Sequence, residues 1–475
     1  MKRFLWLGFV LCLYLICSGC GDTFRPIIIP NPPTFPNPKA AHTVVAINDN
    51  GLFVPGSAMV IDVSGDTNVS QANLDIAPVH AVQQTANEVL VVNQAVTGLN
   101  VPTTSCLVTF PPTPPNHVFS VCSSITKLNF SGTVIGGTNA ISLPIYSGAN
   151  FVAVAPTDTT AYVTLPTYPP DPTQPLNIVP SVGVVNTQSN NLVATIPVGK
   201  NPVALAVTPD KSKLYVANKD SNSISGFNTV DRSSRTVTGS FNAPLWVIAR
   251  SDSQRLYVLN SNGVVSTIDT TSTAGPDNVI DASVSVPNAT YMLYDGNKNR
   301  LYIPGGTQLT ILDVSQSTPV VLTGGPITIQ TVAPSSRGAA DPCSTTGAQT
   351  LTVAAVAALP DASRAYVGSY YEDSTANFCP QVTVIDVASN TIKSSIAVPG
   401  FPAYDAFCST TRFRVTMAAG GDSSRAYLAS CDGGMVNIID TTSDTYILNI
   451  PAPIGVRPGG QQNLPQNPVF LFAGP

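Results

Sequence analysis

A theme of short apolar strands returns along almost the whole chain, and a repeat of that kind constrains the fold before any single residue is read. Its clearest copy is Leu214-Tyr215-Val216-Ala217-Asn218, followed after a few polar residues by Ile224-Ser225-Gly226-Phe227-Asn228. The Tyr strand is echoed at Tyr162, Tyr257, Tyr302, Tyr366 and Tyr427, and more weakly near Leu90 and Val44. Its partner, which ends in Asp or Asn, returns at Asp62, Asn186, Asp269, Asp313, Asp386 and Asp440, with a poorer copy at Asn129. Two further apolar runs, such as 192–196 and 202–207, separate each partner from the next Tyr strand. Each unit therefore holds four short strands, A to D, with the Tyr strand as B. They are rich in Val, Ile and Tyr and bounded by Asp, Asn, Ser and Gly. No stretch of comparable length has helical spacing of apolar residues, and 42 prolines argue further against long helices.

Four-stranded units in series predict an all-β fold, a β-propeller whose blades close into a ring. Eight B strands predict eight blades, with seven as the alternative if the N-terminal copy is irregular. The last apolar run, 468–473, has no B strand after it, and the first B strand, near Val44, has no A strand before it. If the C-terminal strand joins the N-terminal blade, it locks the ring and leaves neither sheet edge free. Length alone suggests two or three domains, but the repeat outweighs it and predicts a single propeller over 42–475.

At these residues the chain resembles the YVTN family of β-propellers. The likeness is strongest from Val182 to Phe241, through Ile196-Pro197-Val198-Gly199, Val207-Thr208-Pro209-Asp210 and Leu214-Tyr215-Val216-Ala217-Asn218. It is degraded elsewhere but recognisable from about Ala58 to Asp440. Such propellers commonly have seven blades, so a count of eight departs from the usual pattern. The family occurs in envelope and secreted proteins of diverse roles, so the resemblance implies architecture more than activity.

Residues 1–19 read as a lipoprotein signal peptide: Lys2 and Arg3 precede an apolar run, 4–16, too short to span a bilayer. Cys17-Ser18-Gly19-Cys20 then looks like a lipobox, with Cys20 as the lipidated residue, although Cys17 stands where Leu is usual. The alternative is an ordinary secretory peptide cleaved nearby. Residues 20–41 are rich in proline as far as Pro38 and read as an extended tether. The expected location is the bacterial cell envelope, lipid-anchored, with Gly21 after Cys20 favouring the outer membrane, or else periplasmic.

Nine cysteines become six once Cys12, Cys17 and Cys20 are assigned to leader and anchor. An even number in an exported chain suggests disulfides. Sequence leaves the pairing open, but neighbours are favoured: Cys106 with Cys122, Cys343 with Cys379, Cys408 with Cys431. No CxxC spacing occurs among them, so no metal site is expected. Only 10% of residues are charged and the net charge of -5 is dispersed, which argues against a nucleic-acid partner.

The four A–B turns around Asp210, Asp252, Asp361 and Asp422 are short and alike, as expected if each Asp accepts a backbone hydrogen bond two residues on. Long insertions fall instead in the B–C loops 95–127, 166–181 and 370–381 and the D–A crossovers 333–349, 399–412 and 451–467. In a propeller both kinds emerge on one face, and all six mature cysteines lie in or beside them. Long loops on a rigid scaffold are where recognition usually sits. Ligand-face candidates there are His117, Tyr168, Asp171, Arg337, Tyr370, Tyr371, Glu372, Asp373, Tyr404, Asp405, Arg412 and Arg457. Tyrosines with scattered charge suit a protein, peptide or glycan partner. The alternative is that the loops only cap the channel.

Three isolated histidines, His42, His80 and His117, make no ligand set, and neither HExxH nor GxSxG occurs. No catalytic residue and no cofactor is expected. The leading reading is a monomeric, non-catalytic binding or scaffold propeller held to a membrane by its N-terminal lipid. A propeller-type hydrolase or lactonase, and a structural envelope or adhesion component, are the alternatives.

Overall fold

The computed structural model describes residues 42–474, apart from 52–53, 96–102, 104, 111–116, 156, 345–349, 402–406, 410 and 458–460. The leader, Cys20 and the tether lie outside the described residues, as do Tyr404 and Asp405. Its sheets form an eight-bladed all-β propeller. The B strands of blades 1 to 8 are Thr43–Asp49, Glu88–Asn93, Thr160–Leu165, Lys213–Asn218, Arg255–Asn260, Arg300–Gly305, Arg364–Glu372 and Arg425–Ser430. Blade 1 takes its A strand from the C-terminus: Asn467–Ala473 pairs antiparallel with Thr43–Asp49, Phe470 opposite Ile47. The ring is therefore closed by hydrogen bonds between chain ends, as the unpaired end strands predict.

Burial explains the strand patterns. B and C strands are covered on both faces by neighbouring blades, so Thr43–Asp49 is buried at every position. The outer D strand Thr67–Ile76 alternates exposed and half-buried residues through most of its length, the signature of a sheet wet on one side. In blade 6 the outer strand is split into Val320–Val321 and Ile327–Thr328. Between them Gly324 and Gly325 adopt φ of 101° and 70°, a left-handed excursion that glycine tolerates best.

The polar residues that punctuate the repeat hold turns and join blades. Asp210, Asp361 and Asp422 accept from the backbone N–H of Ser212, Ser363 and Ser424 at 3.0, 2.9 and 2.9 Å. A second periodic feature escapes a reading by motif: the residue two before the Tyr is a cation in blades 4 to 8, namely Lys213, Arg255, Arg300, Arg364 and Arg425. Each reaches the C–D turn of the next blade. Arg300 donates to Val387 O at 2.7 Å, Arg364 pairs with Asp444 at 2.6 Å, and Arg425 pairs with Asp66 at 3.0 Å. The last of these spans the seam between blades 8 and 1.

The disulfides are Cys106–Cys122, Cys343–Cys379 and Cys408–Cys431. All lie toward the face carrying the long insertions. Segment 370–381, expected as a loop, is instead the end of a long hairpin, Arg364–Glu372 with Phe378–Asp386. Tyr370, Tyr371 and Glu372 belong to its first strand, and only 373–377 turn. The cause is Asp373: its carboxylate accepts from the backbone N–H groups of Thr375 and Asn377 at 2.8 and 2.9 Å, tightening the turn and letting the ladder run up to it. The B–C insertion of blade 2 carries its own hairpin, Leu107–Phe110 with His117–Ser120, and the last crossover carries Ile454–Arg457 with Gln461–Pro465.

Candidate functional site

Four A strands open with proline, an aliphatic residue and a third residue: Pro468-Val469-Phe470, Pro78-Val79-His80, Pro202-Val203-Ala204 and Pro244-Leu245-Trp246. In each the ladder skips the middle residue. Pro244 faces Asn260 while Trp246 already faces Leu259, and Pro202 faces Asn218 while Ala204 faces Ala217. Such a bulge re-aims side chains and leaves the skipped residue's backbone outside the ladder.

The third residues, with rings from the segments just before other A strands, fill the channel. His80 stacks on Phe151 with centroids 3.9 Å apart and meets Phe470 at 4.8 Å. Phe151 meets Trp246 edge-on at 5.5 Å, and Trp246 meets Tyr291 at 5.1 Å and Phe413 at 5.9 Å. Phe413 closes the circuit against Phe470 at 5.6 Å. Six rings from blades 1, 2, 3, 5, 6 and 8 thus touch across the axis, and edge-to-face contacts favour that packing. Burial, then the nearby charge of Arg412, holds the His80 imidazole well below its ordinary pKa, so it is neutral. Its Nδ1 accepts from Val152 N–H within 3.5 Å. Burial likewise raises the Tyr291 phenol.

Above this plug, at the ends of B strands and the starts of A strands, a cavity of about 580 Å³ opens on the long-loop face. The crossover from blade 7 to blade 8 dips into it, contributing Phe407, Thr411, Arg412 and Phe413 to the lining. Arg412 reaches the opposite side of the ring, where its Nη1 donates to Val203 O at 2.7 Å and its Nη2 to Leu245 O at 3.2 Å. Both carbonyls belong to bulge residues. The guanidinium lies 4.9 Å from the Trp246 ring centroid and 5.2 Å from that of Phe151, within cation–π range. Desolvation by the protein around the channel mouth brings its pKa down to about 10, which leaves it cationic at neutral pH. Its side chain nonetheless faces the cavity and is exposed there. Lys219 and Asp49 also line the cavity, and Asp49 Oδ2 accepts from Gly51 N–H at 3.0 Å. Asp49 is the single carboxylate among the described lining residues.

Of the described candidates read from sequence, Arg412 is the one that lines this cavity. Arg337 is buried, donates to Val398 O and Pro380 O at 2.8 and 2.9 Å and ties down the crossover that bears Cys343. Tyr371 and Asp373 are buried in the hairpin. Tyr370 stacks on Phe378 under the Arg414 guanidinium, and Glu372 pairs with Arg414 at 2.6 Å. Tyr168 packs half-buried on the core of blades 2 and 3, and exposed Asp171 caps its own turn through Thr173. His117 and Arg457 lie in the two extra hairpins. Sequence reading passed over Asp49, Lys219 and Phe407, and over the ring-bearing third positions. The signal available for the latter was the Pro-aliphatic-X start shared by four A strands.

No family model matches the chain, and no curated protein matches it. Solved structures do. A functionally unknown protein from Desulfotomaculum acetoxidans superposes with a TM-score of 0.50 at 11% identity, over 75% of this chain and 95% of that one. Dihydro-heme d1 dehydrogenase NirN superposes with a TM-score of 0.53 at 11% identity, over 94% of this chain and 78% of that one. The likeness is one of fold alone. At such identity no site or activity carries across.

Proposed function

We propose that the chain is an exported propeller of the YVTN type, lipid-anchored through Cys20, that binds a ligand without catalysis at the cavity on its long-loop face. The observation that carries this reading is the cavity itself. It has the volume of an ordinary small-molecule site, about 580 Å³, its floor is a rigid plug, and its rim is a crossover pinned by Cys408–Cys431. Binding rather than turnover is favoured because the described lining offers one carboxylate and no histidine, too few groups for paired acid and base work. A protein, peptide or glycan end that presents a small group to the cavity fits the reading.

Two experiments test it. Palmitate labelling of wild type and Cys20→Ala should mark only the wild type, and equal labelling would remove the anchor. Size-exclusion of the purified protein with solubilised envelope fractions should show co-migration that Thr411→Trp, which fills part of the cavity, abolishes. Co-migration indifferent to that substitution would remove the cavity as the recognition site.

A further inference from the structure

We infer that the channel-mouth cavity takes a small organic monocarboxylate, held by the Arg412 guanidinium with its apolar body against Phe407 and Phe413. The inference deepens the recognition reading above and rests on it.

The charge balance of the cavity carries the argument. Among the described lining residues Arg412 and Lys219 supply two positive charges and Asp49 one negative, which leaves one positive charge in excess. Among the described residues no carboxylate pairs with Arg412, whose hydrogen bonds run to the carbonyls of Val203 and Leu245. A guanidinium has five N–H donors, and two are used in this way, so the rest remain for a group that enters from the mouth. The guanidinium is open to solvent on the cavity side, so an incoming anion can reach those donors and gain charge-assisted hydrogen bonds. The two carbonyls also hold the fork rigidly across the ring, so little side-chain freedom is lost when it is engaged.

The same features select the ligand. A planar carboxylate matches a guanidinium in a two-point contact, and a monoanion balances the single excess charge. A dianionic phosphate would leave a negative surplus beside Asp49. The remaining wall is largely apolar, formed by Phe407, Phe413 and the skipped aliphatic residues of the A strands, which suits a hydrocarbon or aromatic body. A cation is opposed by Arg412 and Lys219, and an uncharged analogue leaves the guanidinium as it was.

The test uses the mature chain from Cys20 onward, which lacks Trp6, so that Trp246, whose ring lies 4.9 Å from the Arg412 guanidinium, is the lone fluorescent tryptophan. Benzoate, benzamide, benzylammonium and inorganic phosphate are titrated against it. Benzoate should change the Trp246 emission saturably, and benzamide, benzylammonium and phosphate should bind at least about tenfold more weakly. Arg412→Gln should weaken benzoate by about tenfold or more, and Arg412→Lys, which keeps the charge but not the fork, should fall between. Both variants are compared with wild type by thermal melting, and the second shows whether charge alone suffices. Equal binding of benzamide and benzoate, or benzoate binding untouched in Arg412→Gln, would overturn the inference while leaving the cavity as a binding site. A panel with no saturable response would also overturn it, and the Thr411→Trp co-migration result then judges the broader reading separately.

Discussion

His80 should make the stability of this propeller depend on pH in a window where few other groups titrate. Its imidazole lies inside the plug, stacked on Phe151 at 3.9 Å, with Nδ1 accepting from Val152 N–H and the Arg412 charge nearby. Burial in the plug, and after it the Arg412 charge, favours the neutral ring, so its pKa in the folded chain is well below the ordinary value. The sign follows from linkage: below a pH of about 6.5 the unfolded chain binds a proton at His80 that the folded chain refuses, so stability falls as pH falls. The full contribution is present above about pH 6.5, and the loss continues down to the folded-state pKa at about 1.4 kcal/mol per pH unit. Between pH 8 and pH 5 it can reach at most about 2 kcal/mol, since only the interval below about pH 6.5 contributes. Carboxylates held low by their turns, such as Asp373 and Asp440, lose stability only in more acid solution. Asp295, whose carboxyl burial raises, acts in the opposite direction but equally in wild type and variant. The assay is urea denaturation followed by Trp246 fluorescence at pH 5, 6, 7 and 8. His80→Asn should be less stable than wild type at pH 8 and should lose less on going to pH 5, by up to about 2 kcal/mol. Arg412→Met, which removes the opposing charge, should show a shallower loss than wild type. A wild-type loss that persists undiminished in His80→Asn would refute the reasoning.

Three further outcomes are expected. Arg425→Ala removes the latch across the seam of the ring, where the arginine is buried between Asp66 and Asp440, and should cost about 3 kcal/mol in urea denaturation; Arg255→Ala, at a more exposed pair, should cost under about 1 kcal/mol. Ending the chain at Gln466 removes the strand Asn467–Ala473 and bares the edge of Thr43–Asp49; circular dichroism should then show no cooperative melt, and light scattering should show association through the open edge. Replacing Cys106 and Cys122 together by serine opens the link between residues 16 apart and should lower stability by about 3 kcal/mol, read as a shift of the urea midpoint at unchanged slope.

Much of the scaffold was legible because it is periodic and local. The alternation of apolar runs with Asp, Asn and Gly reports strands and turns within a few residues of themselves, as at Asp210 with Ser212. The missing A strand at the start and the surplus strand at the end specified closure, since an open edge is unfavourable on both sides of the seam. Segment 370–381 misled for a physical reason. Tyr, Glu and Asp near a chain reversal look like loop residues, but the Asp373 carboxylate closes a five-residue turn and lets the strands continue.

The sequence by itself determined the four-stranded unit, a ring of eight blades or seven, the closing strand and the face on which insertions gather, because each follows from patterns within or between adjacent strands. Only the tertiary structure decided what stands at the axis. The plug draws rings from six blades, and Arg412 reaches a carbonyl 209 positions away in the chain. Positions that face inward become neighbours only when the ring closes, and no spacing along the chain records which of them will meet. The repeat builds the wall of the channel, and the site is made by the residues that closure brings together inside it.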